Sequence, residues 1–352
     1  MAVFESRRDA EFDVDVCGDL SAVRDDWAIL ETAGRCTPFQ TRAWLEPWYE
    51  IVAPHFGASP LLVRVRDRFS RAPLMLLPLA RRRDAGLAVV EFADLGVSDY
   101  HAPLFMPEMA WLRGRGPALW ARIQAALRPA DLFRFEKVPP FVDGMRNPLL
   151  DVARRRMNFS AWDVALPPTR TGFDAGLQDQ SFQRELARKN RRIAGRGLAR
   201  FAELGRDNIL QRAPFRAFYE TVALAAHDRV ARLFTLSVDD EIVATIFGLG
   251  RDGRFCMIMS TIGDARWKSA SPGNVAMDRL VSLLIEEGGG VLDFTIGDEA
   301  YKRSFGATRR PLDAGVLTLS WRGSPQLVAD FARKFRSRRD LAFATANFLR
   351  AR

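Results

Sequence analysis

Residues 267–306 read WKSASPGNVAMDRLVSLLIEEGGGVLDFTIGDEAYKRSFG, and they are the most informative stretch of the chain. A loop comes first, followed by an amphipathic helix that starts near Gly273. Three glycines at 288–290 end this helix, and the alternating residues VLDFTI after them predict a strand. A polar turn then leads into a second short helix. The stretch is therefore predicted to be a helix–strand–helix unit.

The start of the first helix predicts an anion-binding site. Its first turn consists of Ser271, Pro272, Gly273 and Asn274. Backbone N–H groups at a helix N-terminus have no partner within the helix, and they attract anions such as pyrophosphate. We therefore expect this turn to hold a phosphorylated ligand.

Polar residues gather at the ends of the predicted strand. Alternation turns Asp293 away from the apolar face, within a strand, where aspartate is disfavoured. Two interpretations follow: a catalytic carboxylate, or a structural one that accepts hydrogen bonds from neighbouring loop N–H groups. Asp298 is placed to cap the next helix. Tyr301 and Lys302, in the first turn of that helix, are expected beside the carboxyl end of the strand, where α/β sheets often bind ligands.

Composition limits the function classes. The chain has 352 residues, enough for two ordinary domains, with 48% apolar and 27% charged residues and a net charge of +9. Three scattered cysteines and three histidines argue against a disulfide framework and a multi-histidine metal site, so no metal is expected. The N-terminus lacks the apolar core of a signal peptide, and no apolar run is long enough to span a membrane. These features predict a cytoplasmic protein whose basic surface attracts anionic ligands.

The two halves of the chain share an order of elements, which favours a tandem repeat. Predicted helices are 20–33, 41–53, 109–127, 179–195 and 214–226. Predicted strands are 11–16, 60–67, 72–83, 87–96, 131–138 and 159–166, then LARFAEL, a three-strand meander ending at 261, and 313–321. The tail 324–352 is a basic amphipathic helix that either packs on its own domain or contacts a membrane surface peripherally.

A family resemblance gives these motifs a chemistry. The pattern W-K-x-x-S-P-G, a helix, then D-F-x-x-G-D-E-x-Y-K-x-x-F-G resembles the GNAT-type acetyltransferase domain of bacterial proteins associated with cellulose and exopolysaccharide synthesis. Those proteins are similar to Fem-type aminoacyl transferases, which consist of two GNAT-like domains in tandem. The segments 37–50, 98–105 and 187–192 support the resemblance in the rest of the chain.

The resemblance implies an α/β (α+β) fold with two GNAT-like domains, each a mixed, mostly antiparallel sheet flanked by helices. It implies an N-terminal, acceptor-side domain at 1–170, an acyltransferase domain at 171–322 and a C-terminal helix at 323–352. It also implies acyl transfer from acetyl-CoA or another acyl-CoA to an amine or hydroxyl of a sugar, amino sugar or cell-envelope precursor. The pantetheine arm of the donor would lie between the strands RFCMIMST and VLDFTIG.

Roles follow for the polar residues at the second strand. Asp293 or Glu299 is the candidate base, and Tyr301 is the candidate acid that protonates the leaving thiolate. Ser271–Asn274 would hold the phosphates of the donor, and Lys302 an anionic group of the acceptor.

The segment SDYH in the first half offers a candidate acceptor site. Asp99, Tyr100 and His101 supply an acceptor oxygen, an aromatic face and a titratable ring. The alternative is a turn with a capping aspartate and a half-buried tyrosine.

One departure from the family pattern leaves the donor open. The GNAT phosphate loop with Q/R-x-x-G-x-G/A spacing is absent, and SPGN has a single glycine. An aminoacyl-tRNA is therefore an alternative donor, consistent with the basic helix near 184–200, whereas DNA is not an expected partner. A degenerate GNAT domain that acts as a scaffold in polysaccharide synthesis is the non-enzymatic alternative.

Overall fold

The computed structural model describes residues 12–107, 115–153, 155–177, 179–204, 218–219, 221 and 230–323. These residues divide into two compact units. Unit 1 consists of the described residues up to Met157 and those from Leu312 onward, and unit 2 is Asn158–Pro311. The functional domains predicted at 1–170 and 171–322 stay a prediction.

The strands and helices are named in chain order. The strands are β1 (Phe12–Cys17), β2 (Ser59–Asp67), β3 (Pro73–Asp84), β4 (Leu87–Phe92), β5 (Leu104–Phe105), β6 (Leu132–Val138), β7 (Phe141–Val142), β8 (Met145–Arg146), β9 (Arg155–Leu166), β10 (Ala199–Leu204), β11 (Ala231–Val238), β12 (Glu241–Arg251), β13 (Arg254–Ile262), β14 (Gly290–Ile296) and β15 (Thr308–Thr318). The α-helices are α1 (Arg24–Ala33), α2 (Arg42–Pro47), α3 (Ala53–His55), α4 (Gly116–Ala126), α5 (Arg170–Gly176), α6 (Gln180–Ala194), α7 (Pro272–Glu286) and α8 (Ala300–Ser304).

The sheet of unit 1 has the strand order β1-β2-β3-β4-β6-β15, and β5 pairs with β3. Its neighbours are antiparallel except β4 and β6, which run parallel and pair at Val89–Glu91 with Leu132–Arg134. The chain between these two strands includes α4, as a parallel connection requires. Apolar residues of the strands and of α4 form one core, among them Val63, Leu77, Val90, Leu119, Ile123 and Phe133.

The sheet of unit 2 has the order β9-β14-β13-β12-β11-β10. One pair, β13 with β14, is again parallel, and the chain between them includes α7. Apolar residues at helical spacing on α7 pack on one face of this sheet; the core they share includes Val275, Leu280, Leu284, Phe255, Leu292 and Phe294. The glycines predicted to end the helix all have positive φ, and a Cβ on Gly290 would overlap the carbonyl of Gly253.

Most predicted elements are confirmed. Helices predicted at 20–33, 41–53, 109–127 and 179–195 correspond to α1, α2, α4 and α6, with a π turn and α3 continuing α2. The strand predicted at 313–321 is β15, and it begins earlier, at Thr308. The earlier start is unexpected, because Pro311 lies within the strand and proline usually argues against a central strand. The helix predicted at 214–226 lies almost wholly outside the described residues, and the tail 324–352 lies outside them. No helix in the described ranges is long and apolar enough to cross a bilayer.

Candidate active site

The two central strands of unit 2 part within their length. Strands β13 and β14 pair at Arg254–Cys256 with Val291–Asp293, and this register ends there although both strands continue, to Ile262 and Ile296. The strands therefore diverge toward their carboxyl ends. This is the separation that the family resemblance implies between RFCMIMST and VLDFTIG.

Asp293 lies where the pairing ends and is only 2% exposed. Its Oδ2 accepts a hydrogen bond of 2.7 Å from Nη1 of Arg254, and its Oδ1 accepts one of 2.8 Å from the N–H of Thr295. Asp163 on β9 completes the cluster, with Oδ2 at 3.5 Å from Arg254 Nη1 and Oδ1 at 2.8 Å from Arg310 Nε. These contacts favour the structural interpretation of Asp293: the carboxylate ties the strands together at the point where they part.

Beyond this point β14 is irregular. Thr295 has a φ of 54°, and the register of β14 with β9 shifts between Asp293 and Ile296. The hydroxyl of Thr295 donates a 2.9 Å hydrogen bond to the carbonyl oxygen of Met257 on β13. One side chain thus spans the two diverging strands near the start of their separation.

Lys302 is 1% exposed and its ammonium is used within the turn after β14. Nζ donates to the carbonyl oxygens of Ile296 and Gly297, each at 2.9 Å, and lies 3.0 Å from Oε2 of Glu299. The Glu299 carboxylate lies so close to Gly297 that a Cβ on Gly297 would overlap it. Lys302 therefore shapes this turn, and its predicted contact with an acceptor stays a prediction.

The turn also positions the remaining candidates. Glu299 occupies the N-cap position of α8 without a capping side-chain bond, whereas the expected cap, Asp298, accepts a 2.9 Å hydrogen bond from the indole of Trp162. The Glu299 side chain is 34% exposed. Tyr301 is partly exposed and packs edge-on against Phe294, with ring centroids 6.0 Å apart.

The candidates therefore divide between the two faces of β14. Asp293 and Phe294 are adjacent in the strand and point to opposite faces. Tyr301 packs with Phe294, so Asp293 and Tyr301 are on opposite sides of the strand. Glu299 is two residues from Tyr301 and is more accessible than Asp293. The base and acid roles of Asp293, Glu299 and Tyr301 stay predictions.

Helix α7 begins at the end where the strands diverge. A Cβ on Gly273 would lie 3.5 Å from Cγ2 of Ile262, the last residue of β13. The first turn differs from the sequence expectation, because Pro272 has no N–H, the N–H of Ser271 donates to the carbonyl of Lys268 at 3.0 Å, and the N–H of Asn274 donates to the carbonyl of Ser271 at 3.1 Å. Ser271, the residue before the helix, has a φ of 50°. Fewer amides than expected are therefore available for an anion.

Basic side chains surround the turn Ala265–Ala270, which joins β13 to α7. Arg192 donates to the carbonyl of Ser269 at 2.9 Å. Arg196 donates to the carbonyl of Arg266 at 3.3 Å, and its guanidinium lies 4.9 Å from the ring centroid of the buried Trp267. Lys268 is exposed. Positive charge is therefore concentrated beside the start of α7.

The SDYH residues belong to a buried cluster in unit 1. Nε2 of His101 lies 3.1 Å from Oδ2 of Asp94, and Nδ1 accepts a hydrogen bond from the N–H of Glu136, which assigns the ring proton to Nε2. Lys137 donates 2.7 Å hydrogen bonds to Asp94 and to the carbonyl of Ser98. Tyr100 and His101 are buried and Asp99 is partly exposed. Burial favours the turn interpretation for Tyr100 and His101, and the acceptor role of the segment stays a prediction.

Electrostatics fix the charges of this cluster. Burial alone would raise the pKa of Asp94, but the ammonium of Lys137 and the hydrogen bond from His101 outweigh it and hold the pKa well below its usual value. Burial would likewise lower the pKa of Lys137, whereas the carboxylates of Asp94, Glu136 and Asp99 raise it above its usual value. The pair is therefore charged at neutral pH.

Sequence reasoning missed several residues of these clusters. Arg254 is an ordinary arginine in an arginine-rich chain until the register brings it beside Asp293, 39 positions away. Lys137 is one of only five lysines, which was a usable signal. Thr295 gave none, because a threonine in a strand is ordinary.

A separate cavity of about 260 Å³ in unit 2 contains none of the candidate residues. It lies among α6, α7 and the strands β10 and β11, and its lining includes Asn190, Phe201, Arg279 and Glu286. In the described ranges, no group of His, Cys, Asp and Glu has a metal-binding arrangement.

Comparison with known proteins supports a fold assignment for unit 2. Residues 165–303 match the family model of the acetyltransferase (GNAT) domain. This part of the chain is therefore similar to a GNAT acetyltransferase domain. The match includes the parting strands, α7, Glu299 and Tyr301. No curated protein sequence matches the chain.

Solved structures extend the fold similarity beyond this domain. The crystal structure of FemX has a TM-score of 0.58 at 10% identity, covering 84% of this chain and 96% of FemX. A tandem GNAT protein from the clavulanic acid biosynthesis pathway has a TM-score of 0.46 at 12% identity, covering 88% of this chain and 99% of its own. L-PGS from Bacillus licheniformis has a TM-score of 0.45 at 11% identity, covering 74% of this chain and 85% of its own. At 10% identity the FemX match shows a shared fold.

Proposed function

We propose that the protein transfers an acyl group from a pantetheine thioester, with acetyl-CoA as the simplest donor, to an amine or hydroxyl group. The acceptor class that we propose is a sugar, amino sugar or other precursor of the cell envelope or an exopolysaccharide. The observation that carries the proposal is the parting of β13 and β14 after Cys256 and Asp293. Diverging strands leave backbone groups that an extended amide-containing arm can pair with as an additional strand.

Glu299 and Tyr301 carry the proton transfers in this proposal. The acceptor N–H or O–H attacks the carbonyl carbon of the thioester, forming a C–N or C–O bond as the C–S bond breaks. Glu299 accepts the proton of the nucleophile, and Tyr301 donates a proton to the leaving thiolate. Asp293 and Lys302 position the ends of the strand and the turn that hold this pair.

The test measures thiol release from acetyl-CoA in the presence of amino sugars, hexoses and peptidoglycan-type amines. We expect acceptor-dependent release, and we expect Glu299→Gln to lower kcat by about 100-fold or more and remove the acidic limb of the pH–rate profile. Glu286→Gln, an exposed change at the far end of α7, is the matched control and leaves the rate unchanged. No binding of any acyl-CoA at millimolar concentration, together with no thiol release, would contradict the proposal. Binding without transfer to any acceptor would favour a scaffold.

Aminoacyl transfer from a charged tRNA is the second candidate. The exposed arginines of α6 favour it, because arginine clusters bind phosphate backbones with steep salt dependence. Incubation with a tRNA charged with a radiolabelled amino acid distinguishes the two. Transfer of label to the acceptors, without thiol release from acetyl-CoA, would replace the first proposal with this one.

A further inference from the structure

Helix α6 carries an exposed stripe of arginines. At 100° per residue, Arg184, Arg188, Arg191 and Arg192 lie within one 100° sector of the helix, and all four are exposed (the arginine stripe). The opposite side is buried in the core of unit 2 through Phe182, Leu186 and Ile193. In the described part of the chain, no carboxylate lies within salt-bridge distance of Arg184, Arg188 or Arg191; Glu185, on the flank of the helix, pairs with Lys189.

The stripe leads to the turn that begins α7. Arg192, its last member, donates to Ser269 in the turn Ala265–Ala270. Arg196 and the exposed Lys268 continue the positive surface over this turn. Since α7 starts beside the end of β13, the basic surface ends where the two central strands diverge.

The extent of this surface distinguishes between forms of the donor. Free CoA requires a compact site for its pyrophosphate, but in the first turn of α7 Pro272 has no N–H and the N–H groups of Ser271 and Asn274 already donate to the carbonyls of Lys268 and Ser271. The stripe alone runs for about 12 Å along the helix, at 1.5 Å per residue. A row of exposed guanidinium groups of this length, three of which have no carboxylate within salt-bridge distance among the described residues, is complementary to an extended acidic surface.

We propose that the donor is an acyl group carried on the phosphopantetheine arm of an acidic carrier protein, which docks on the arginine stripe and the turn Ala265–Ala270. This inference rests on the proposed function and specifies its donor. The arm passes from the turn Ala265–Ala270 into the gap between β13 and β14, and the carrier protein stays outside this gap. The acceptor N–H or O–H attacks the thioester carbonyl, the C–S bond breaks, and the proton passes to the sulfur, so the carrier leaves with a free thiol.

The surface fits an acidic protein better than an RNA end. A single-stranded acceptor end is held by aromatic side chains that stack on its bases. The exposed sector of α6 has no aromatic residue, and Trp267 in the turn is buried beneath Arg196. Pantetheine, in contrast, has amide groups that match the edges of separated strands.

The test uses acetylated bacterial acyl carrier protein, acetyl-CoA and acetyl-pantetheine as donors. The variant Arg184→Glu/Arg188→Glu/Arg191→Glu reverses the stripe but leaves Arg192 on the turn. Arg68→Glu/Arg81→Glu/Arg155→Glu makes the same charge change at exposed positions of unit 1. We expect the stripe variant to lower kcat/KM with the acetylated carrier by about tenfold or more, to leave acetyl-pantetheine unchanged and to keep its thermal midpoint. The control triple keeps the native rate with all three donors.

Binding of fluorescently labelled holo-carrier separates this inference from the proposed function. Carrier binding that the stripe variant loses, without transfer from any thioester, would remove the proposed function and keep the docking site. Transfer from acetyl-CoA with a carrier rate that the stripe variant does not lower would overturn the inference alone. Loss of binding to bulk tRNA with unchanged binding to the carrier would assign the stripe to RNA and also overturn it.

Discussion

The parallel strand pairs of the two units have the same plan and different surroundings. In unit 1, β4 and β6 pair over three residues and end at Glu91 opposite Arg134; in unit 2, β13 and β14 pair over three residues and end at Cys256 opposite Asp293. A charged cluster lies at each end point: Arg134 and Arg82 on Glu91 in unit 1, and Arg254 on Asp293 in unit 2.

The space after the pairing differs. In unit 1 the chain fills it with its own loop: the N–H of His101 donates to the carbonyl of Lys137, the ring of His101 stacks on Phe92, and Lys137 pairs with Asp94. In unit 2 the hydroxyl of Thr295 donates to the carbonyl of Met257, and the ammonium of Lys302 donates to the carbonyl of Ile296 in the turn after β14. The same sheet plan thus becomes a closed structural element in one unit and a candidate donor site in the other.

The largest expected effect is the loss of the ion pair in unit 1. Lys137→Met leaves the Asp94 carboxylate buried without its ammonium and should lower the free energy of unfolding by about 3–5 kcal/mol. Urea unfolding measures this change, and Asp94→Asn/Lys137→Met should recover part of it because both charges are removed. An unchanged unfolding midpoint for Lys137→Met would show that the ion pair of Lys137 with Asp94 does not stabilise unit 1.

A smaller loss is expected at the end of the pairing in unit 2. Asp293→Asn keeps a hydrogen-bond acceptor for Thr295 but removes the charge that pairs with Arg254. The free energy of unfolding should therefore fall by about 1–3 kcal/mol. Because we assign Asp293 a structural role, the pH dependence of kcat should keep its shape. Loss of the acidic limb in this variant would make Asp293 the base in place of Glu299.

Thr295→Val tests the single side chain that spans the diverging strands. The change conserves shape and removes the hydrogen bond to Met257, at a cost of about 1 kcal/mol in stability. We expect the KM for the thioester to change while kcat stays near its native value, because the strands and not the reacting groups are affected. Thr318→Val in unit 1, which loses a hydroxyl bond to Gly323, is the matched control. An equal change of KM in both variants would show that Thr295 has no specific effect on donor binding.

The pH dependence of stability should follow from the same ion pair. The pKa of Asp94 is lowered in the folded state, so its contribution is complete above the unfolded value of about 3.9 and is lost as pH falls below it. The pKa of Lys137 is raised, so its contribution is complete below about 10.4 and is lost at higher pH. The stability difference between the native protein and Asp94→Asn/Lys137→Met should therefore be constant between about pH 5 and pH 9 and change outside it. A continuous slope across neutral pH would contradict these directions.

The sequence predicted the local elements and the candidate segment, and it could not predict the pairings across the sheet. Alternation and glycines identified β14 and α7, because these signals lie within a few residues. The bond between Lys137 and Asp94 joins residues 43 positions apart, and the ion pair of Asp293 depends on the register of β13. The N–H of Ser271 was predicted to be free, and its bond to the carbonyl of Lys268 depends on the turn Ala265–Ala270 and on a φ of 50° at Ser271, which has no sequence signal.

Hydrogen exchange with and without a pantetheine thioester tests the central claim most directly. Acetyl-pantetheine should protect backbone amides in 257–262 and 294–297, where the strands of unit 2 diverge, and leave 93–101 and 135–138 of unit 1 unchanged. This result would identify the separated strands of unit 2 as the donor site and those of unit 1 as filled by the chain itself. Protection in unit 1 alone, or at neither pair at saturating thioester, would contradict the account.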